Sequence, residues 1–175
     1  MEKKTTFWGK GDEYTIDMVF ATAEKAQNPH SNVAKIIAWV YAALLVIMLV
    51  AQLIAYEDFT PLISANYLAT SPYGGAAAIS GLLVFAEVFA LPFLLRMALS
   101  PLMRWFSMVC GLAVAGIWLK LTIGAVVSKN HFIDNYGLLG SKVPLHSGTV
   151  AIMISLVLLV LAIWSAWGLW PARKK

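Results

Sequence analysis

The sequence predicts an all-α integral membrane protein, a four-transmembrane-helix bundle with an amphipathic N-terminal interfacial helix. Three observations predict it. Four apolar runs, at 36–55, 74–95, 105–127 and 149–170, fill most of the 175 residues. Each approaches the roughly 20 apolar residues that a helix needs to cross about 30 Å of hydrocarbon at about 1.5 Å per residue. The composition agrees: 60% of residues are hydrophobic and only 13% are charged, far from a soluble domain. The charges also lie mostly between the runs, with Glu87 and Lys120 the two ionisable residues well inside them.

Ahead of the first run, residues 1–35 read as a cytoplasmic segment. Within it 12–28 suit a short amphipathic helix: Ile16, Val19, Phe20, Ala23 and Ala26 recur at helical spacing, while Asp17, Thr22, Glu24, Lys25 and Gln27 are polar. Asp12 can cap its start, and Asn28-Pro29 can stop it. Such a helix either rests on the membrane surface or docks a partner subunit. The first run is too long for a signal-peptide core, so no cleavable leader is expected.

The membrane domain spans 36–170, and 171–175 form a basic tail. The first connection is rich in turn formers, Thr60-Pro61 and Ser71-Pro72-Tyr73-Gly74-Gly75. Between them Leu62, Ile63, Tyr67 and Leu68 are apolar enough for a short helix lying on the surface. Pro92, near the end of the second run, should kink that helix or leave a carbonyl for a neighbouring side chain to satisfy. Ala77 with Gly81, and Gly111 with Ala115, form small-xxx-small pairs that let helices approach closely.

Charge sets the expected orientation. Lys3, Lys4, Lys10, Lys25 and Lys35 precede the first run, Arg96 and Arg104 bound the second connection, and the tail reads Arg173-Lys174-Lys175. The first connection has Glu57 and Asp58 and no Lys or Arg; the third has Lys129 and Lys142. Cytoplasmic loops retain Lys and Arg, and acids count little. Both termini and the second connection are therefore expected in the cytoplasm, of a prokaryotic cell, with the two longer loops outside. Trp164, Trp167 and Trp170 fall where interfacial indoles belong on the inner side.

Glu87 and Lys120 carry most of the functional information. A charge at the bilayer centre costs between about 3 and over 10 kcal/mol, so such residues face the protein interior or water and usually have a partner. Folding the hairpin about Ser100 leaves the two offset by roughly 10 Å along the helices, from the rise per residue, so direct pairing stays open. Lys120 can instead snorkel to the headgroups. Glu87 is either a protonated or hydrogen-bonded structural acid between helices, or a proton-exchanging carboxyl, or a polar contact for a quinone or other amphiphile.

Other chemistry finds little footing. His131, Asp134 and His146 share the third connection and could hold a metal, but their spacing is unspecific and solvated loop side chains are the expectation; no metal site is assigned. His30 stands apart from them. With Cys110 as the single cysteine, no intramolecular disulfide or thiolate cluster can form. No histidine lies in mid-span to ligate haem, and no hydrolase triad, Walker or dinucleotide signature occurs. No basic stretch interleaved with aromatics suggests nucleic acid. No motif names a cofactor, which leaves quinone or lipid open.

From the second run onward the order of features resembles the DoxX/MauE-type four-helix membrane proteins. The residues are Gly81-Leu-Leu-Val-Phe-Ala-Glu87, then Leu94-Leu95-Arg96 before a short basic turn. Next come Ile133-Asp134-Asn135-Tyr136-Gly137-Leu138-Leu139-Gly140 and Val143-Pro144-Leu145, leading into the last run. Redox-linked members carry C-G-C-F-G where this chain has Tyr136-Gly-Leu-Leu-Gly140, so both cysteine positions are replaced and the thiol-disulfide activity is not implied. The resemblance implies a helical bundle, an acid at Glu87 and a place beside a redox partner. The leading expectation is a non-catalytic integral subunit or accessory protein of a larger membrane complex, respiratory or electron-transferring, with the lipid bilayer and other membrane subunits as partners. The alternatives are a small proton-coupled transporter or carrier using Glu87, and a quinone-linked membrane oxidoreductase.

Overall fold

The computed structural model describes residues 29–54, 56–67, 73–127, 138–139 and 147–170. Five helices form among these residues: α1 Asn32–Ile54, α2 Tyr56–Tyr67, α3 Tyr73–Leu94, α4 Pro101–Val127 and α5 Gly148–Leu169. All but α2 are long and apolar enough to cross a membrane, and no strand occurs among the described residues. The amphipathic helix expected over 12–28 lies outside them. The four-span, all-helical membrane architecture stands.

The helices start earlier than the apolar runs, for a reason in capping chemistry. Ser31 precedes α1 and its Oγ accepts the Ala34 N–H at 3.1 Å, the bond expected of an N-cap serine. Ser100 does the same for α4, accepting from Met103 N–H at 3.3 Å. Pro101 follows it in the first helical position, where a missing N–H costs nothing. The apolar runs begin after Lys35 and Arg104, whereas the capping bonds place the starts of α1 and α4 at 32 and 101.

The four long helices close a ring: α1 packs on α3, α3 on α4, α4 on α5 and α5 on α1. The short turn from Leu94 to Pro101 makes α3 and α4 antiparallel, and the ring of neighbours follows chain order, as in an up-and-down four-helix bundle. Arg96, Arg104 and Lys35 mark one end, called here the basic end. Each helix buries small and large residues inward, such as Ala38, Tyr41 and Leu45 on α1 and Val114, Ala115 and Trp118 on α4. Its outer face keeps Val, Ile, Leu and Trp exposed, as in Val46, Ile47 and Val50 of α1. In water such a surface would aggregate; in lipid it is the expected solvent-facing side.

Two contacts set how tightly the ring closes. At the basic end a Cβ added to Gly168 of α5 would lie 2.5 Å from the Ala34 Cβ of α1, so these helices touch almost backbone to backbone. In the middle, a Cβ on Gly111 would stand 3.5 Å from Ala90. Of the two expected small-residue pairs, Gly111 with Ala115 is buried, but Ala77 is exposed and, among the described residues, nothing lies within 4 Å of a Cβ at Gly81. Ala77 with Gly81 is thus not a packing pair: the spacing was right and the face was wrong.

Pro92 shapes the end of α3. It has no N–H to donate and its ring crowds the preceding turn. Ser107 of α4 enters the gap: its hydroxyl accepts the Phe93 N–H at 3.0 Å and donates to the Phe89 carbonyl. An unbroken helix pairs those two groups with each other. Beyond the gap Arg96 sits at φ 58, with Arg96 N–H bonded to Phe93 O and Met97 N–H to Pro92 O. That is a Schellman cap, built here without the glycine that usually occupies its left-handed position.

Candidate functional site

The densest buried polar cluster among the described residues surrounds Glu87. Glu87 on α3 and Gln52 on α1 are both fully buried, and Gln52 Nε2 donates to Glu87 Oε1 at 3.1 Å. Their meeting follows from direction. Side chains on a helix tilt toward its N-terminus, so on the antiparallel pair Gln52 leans toward the basic end and Glu87 leans away from it. Two residues placed at different heights thereby converge.

Trp118 and Tyr41 complete the surroundings. Trp118 of α4 is fully buried and its indole lies near enough to act on the Glu87 carboxyl. No well-aligned hydrogen bond joins them, since Trp118 Nε1, Glu87 Oε2 and Gln52 Oε1 are buried without a bonded partner. The Tyr41 hydroxyl crosses the bundle diagonal to donate to the Gly111 carbonyl at 2.6 Å. One turn beyond Trp118, the Thr122 and Ser155 hydroxyls lie 3.2 Å apart and link α4 to α5. Each also reaches a carbonyl four residues back in its own helix.

Helix α2 closes the cluster from the end opposite the basic one. The sequence suggested a short helix lying on the surface around 62–68. Instead α2 starts at Tyr56, and Phe59 and Ile63 are fully buried in the core. The Phe59 ring stands 6.4 Å from that of Trp118. The acids Glu57 and Asp58 occupy its first turn, where a helix N-terminus favours negative charge. Leu138 of the third connection is also fully buried in this core.

Lys120 is not part of the cluster. Two residues separate it from Trp118, which is about 200° around a helix, so an inward Trp118 sends Lys120 outward. It is exposed on α4 and forms no ion pair among the described residues, Glu87 bonding to Gln52 instead. His131, Asp134 and His146 lie outside the described residues. No group of three metal-ligating side chains occurs among the described ones, and Cys110 is a buried free thiol. His30, set aside in the sequence, fastens the basic end. Its N–H donates to Gly168 O at 3.1 Å, its Nε2 lies 3.0 Å from Trp170 O, and its ring stacks on Trp167 at 5.8 Å.

Gln52 and Trp118 are the partners that the sequence reading passed over. Gln52 is the single amide in the first apolar run, and that isolation was the available signal. The chemistry open to the cluster is limited by its closure: it offers an acid, an amide and an indole N–H to each other, with no exposed surface on Glu87, Gln52 or Trp118. Comparison with family models, with curated proteins and with solved structures gives no match.

Proposed function

We propose that this chain is a non-catalytic integral subunit of a larger membrane complex, seated in a prokaryotic cytoplasmic membrane with both termini in the cytoplasm. The observation that carries the reading is the closure of Glu87. The one acid inside the described spans is spent on holding α1 to α3 through Gln52, and α2 seals it from the far end. A coupling carboxyl in a carrier must meet water on each side in turn; this one is fully buried. An electron-transferring setting draws its support from the resemblance to DoxX/MauE-type proteins at Gly81–Glu87 and in the third connection.

The test is the mass of the native assembly. A tagged chain extracted from its own membranes in mild detergent should run well above the size of its monomer and carry stoichiometric membrane subunits with it. Migration only as a monomer or homo-oligomer would overturn the reading. Proton-coupled flux by the purified chain in liposomes, lost in Glu87→Gln, would replace it with the carrier.

A further inference from the structure

We infer that Glu87, Gln52 and Trp118 together form a binding site for one internal water molecule, held where α1, α3 and α4 meet. The subunit reading asks only that Glu87 be closed to both sides of the membrane. The water adds what completes the closed cluster, and its failure would leave that reading standing.

Three polar atoms gather here without a bond. Gln52, Glu87 and Trp118 are each 0% exposed. One bond joins two of them, Gln52 Nε2 donating to Glu87 Oε1 at 3.1 Å. Gln52 Oε1, Glu87 Oε2 and Trp118 Nε1 have no bonded partner. Each of the two oxygens is one carbon away from an atom of the Gln52–Glu87 bond, so that bond holds them in the same neighbourhood. Trp118 brings its indole near enough to act on the same carboxyl, without reaching bonded geometry. Buried hydroxyls nearby find carbonyls instead, as Thr122 and Ser155 do. A fully buried polar atom that has left water is expected to have a partner.

The three atoms cannot satisfy one another. An amide oxygen and a carboxylate oxygen only accept, and an indole N–H only donates. Even a direct indole bond to one oxygen would leave the other bare. Water matches the set: its two O–H groups donate to Glu87 Oε2 and Gln52 Oε1, and its oxygen accepts the Trp118 N–H. Three bonds is the usual number for a buried water.

The same chemistry rejects other occupants. An anion would meet the Glu87 carboxylate. A metal ion would face the indole N–H, and no group of three metal-ligating side chains occurs among the described residues. A quinone or other amphiphile needs an open surface, which none of the three side chains has. The ligand is thus small and neutral, and both donates and accepts. Phe59 and Ile63 of α2 are buried over this end of the core, with the Phe59 ring 6.4 Å from Trp118. A water beneath that apolar cover should exchange with bulk slowly.

The experiment is proton NMR on the full chain in bicelles, with 15N at tryptophan and the Trp118 indole assigned by its loss in Trp118→Phe. The expected result is a rotating-frame cross-peak between the Trp118 indole proton and the water frequency. Its sign should be opposite to the diagonal, which marks a water in contact, whereas proton exchange gives the same sign. The cross-peak should vanish in the Gln52→Leu/Glu87→Leu double variant, which removes both acceptors. No cross-peak in wild type, one of exchange sign, or one that survives in the double variant would each overturn the inference. The rival arrangement is a protonated Glu87 closing directly on Gln52 Oε1. It would show as a protonated-carboxyl infrared band in chain labelled with 13C-glutamate, without the contact cross-peak, and would overturn the water site. Should the double variant fail to fold, the presence and sign of the wild-type cross-peak still decide.

Discussion

Ser107→Ala should destabilise the bundle through α3, a helix on which Ser107 does not reside. The Ser107 hydroxyl stands between the Phe93 N–H and the Phe89 carbonyl, and Ser107 is 1% exposed. Alanine leaves one buried donor and one buried acceptor short of a partner. At about 1–3 kcal/mol for each unsatisfied group, partly relieved as the turn tightens, the expected cost is about 2–4 kcal/mol. The origin of that cost is separable, because Pro92 is what opens the gap. In Pro92→Ala the helix can close and Phe93 N–H can return to Phe89 O, so Ser107→Ala should then cost less than about 1 kcal/mol. A double-mutant cycle, with unfolding followed in bicelles or by steric trapping, isolates this coupling. A coupling of about 2 kcal/mol is expected on that basis. Additive single-mutant effects would refute the idea that Ser107 repairs the break at Pro92.

Three further substitutions probe the packing and the buried cluster. Gly168→Ala puts a Cβ at 2.5 Å from Ala34 Cβ, so α1 and α5 must separate; a loss of about 1–3 kcal/mol is expected for overpacking, and Ala34→Gly should restore most of it. Tyr41→Phe removes the hydroxyl that donates to Gly111 O at 2.6 Å, while that carbonyl keeps its place in the helix; a loss of about 1 kcal/mol in unfolding free energy is expected. Glu87→Leu strands the Gln52 amide in the core at a cost of about 1–3 kcal/mol. Adding Gln52→Leu should recover much of it, and failure to recover would deny that the two residues act as a pair.

The parts of the fold that were legible are those governed by solvent. Four apolar runs fixed the spans and their number because a bilayer imposes one length on every helix. Pro92 announced a break, and the neighbour that mends it proved to be Ser107. Helix starts were misplaced because Ser31 and Ser100 act through capping bonds that hydropathy does not weigh. Facing was the harder problem. Ala77 with Gly81 has the same spacing as Gly111 with Ala115, yet only the latter pair is buried, since spacing along one helix does not say which side meets a neighbour. The Gly168 contact with Ala34 depends on two helices more than a hundred residues apart in sequence, and no local pattern encodes it. At the cluster, Glu87 stood out as an intramembrane acid, but its partner could not be chosen by counting residues from the helix ends. Lys120 and Gln52 stand 19 and 20 residues from the starts of their helices at the basic end, so at much the same height; Lys120 is turned outward, and Gln52 meets Glu87 by the opposed tilt of antiparallel side chains.

The closure of Glu87 is tested most directly by a hydrophobic carbodiimide, which enters the bilayer and modifies carboxyls that lipid or water can reach. After treatment of native membranes, peptide mass spectrometry should find Glu87 unmodified, as expected for a side chain shut between α1, α3 and α4 beneath α2. Reaction should appear at Glu87 only once the chain is unfolded. Rapid modification of Glu87 in the native membrane would contradict a structural acid and point to a carboxyl that opens to a ligand or a proton.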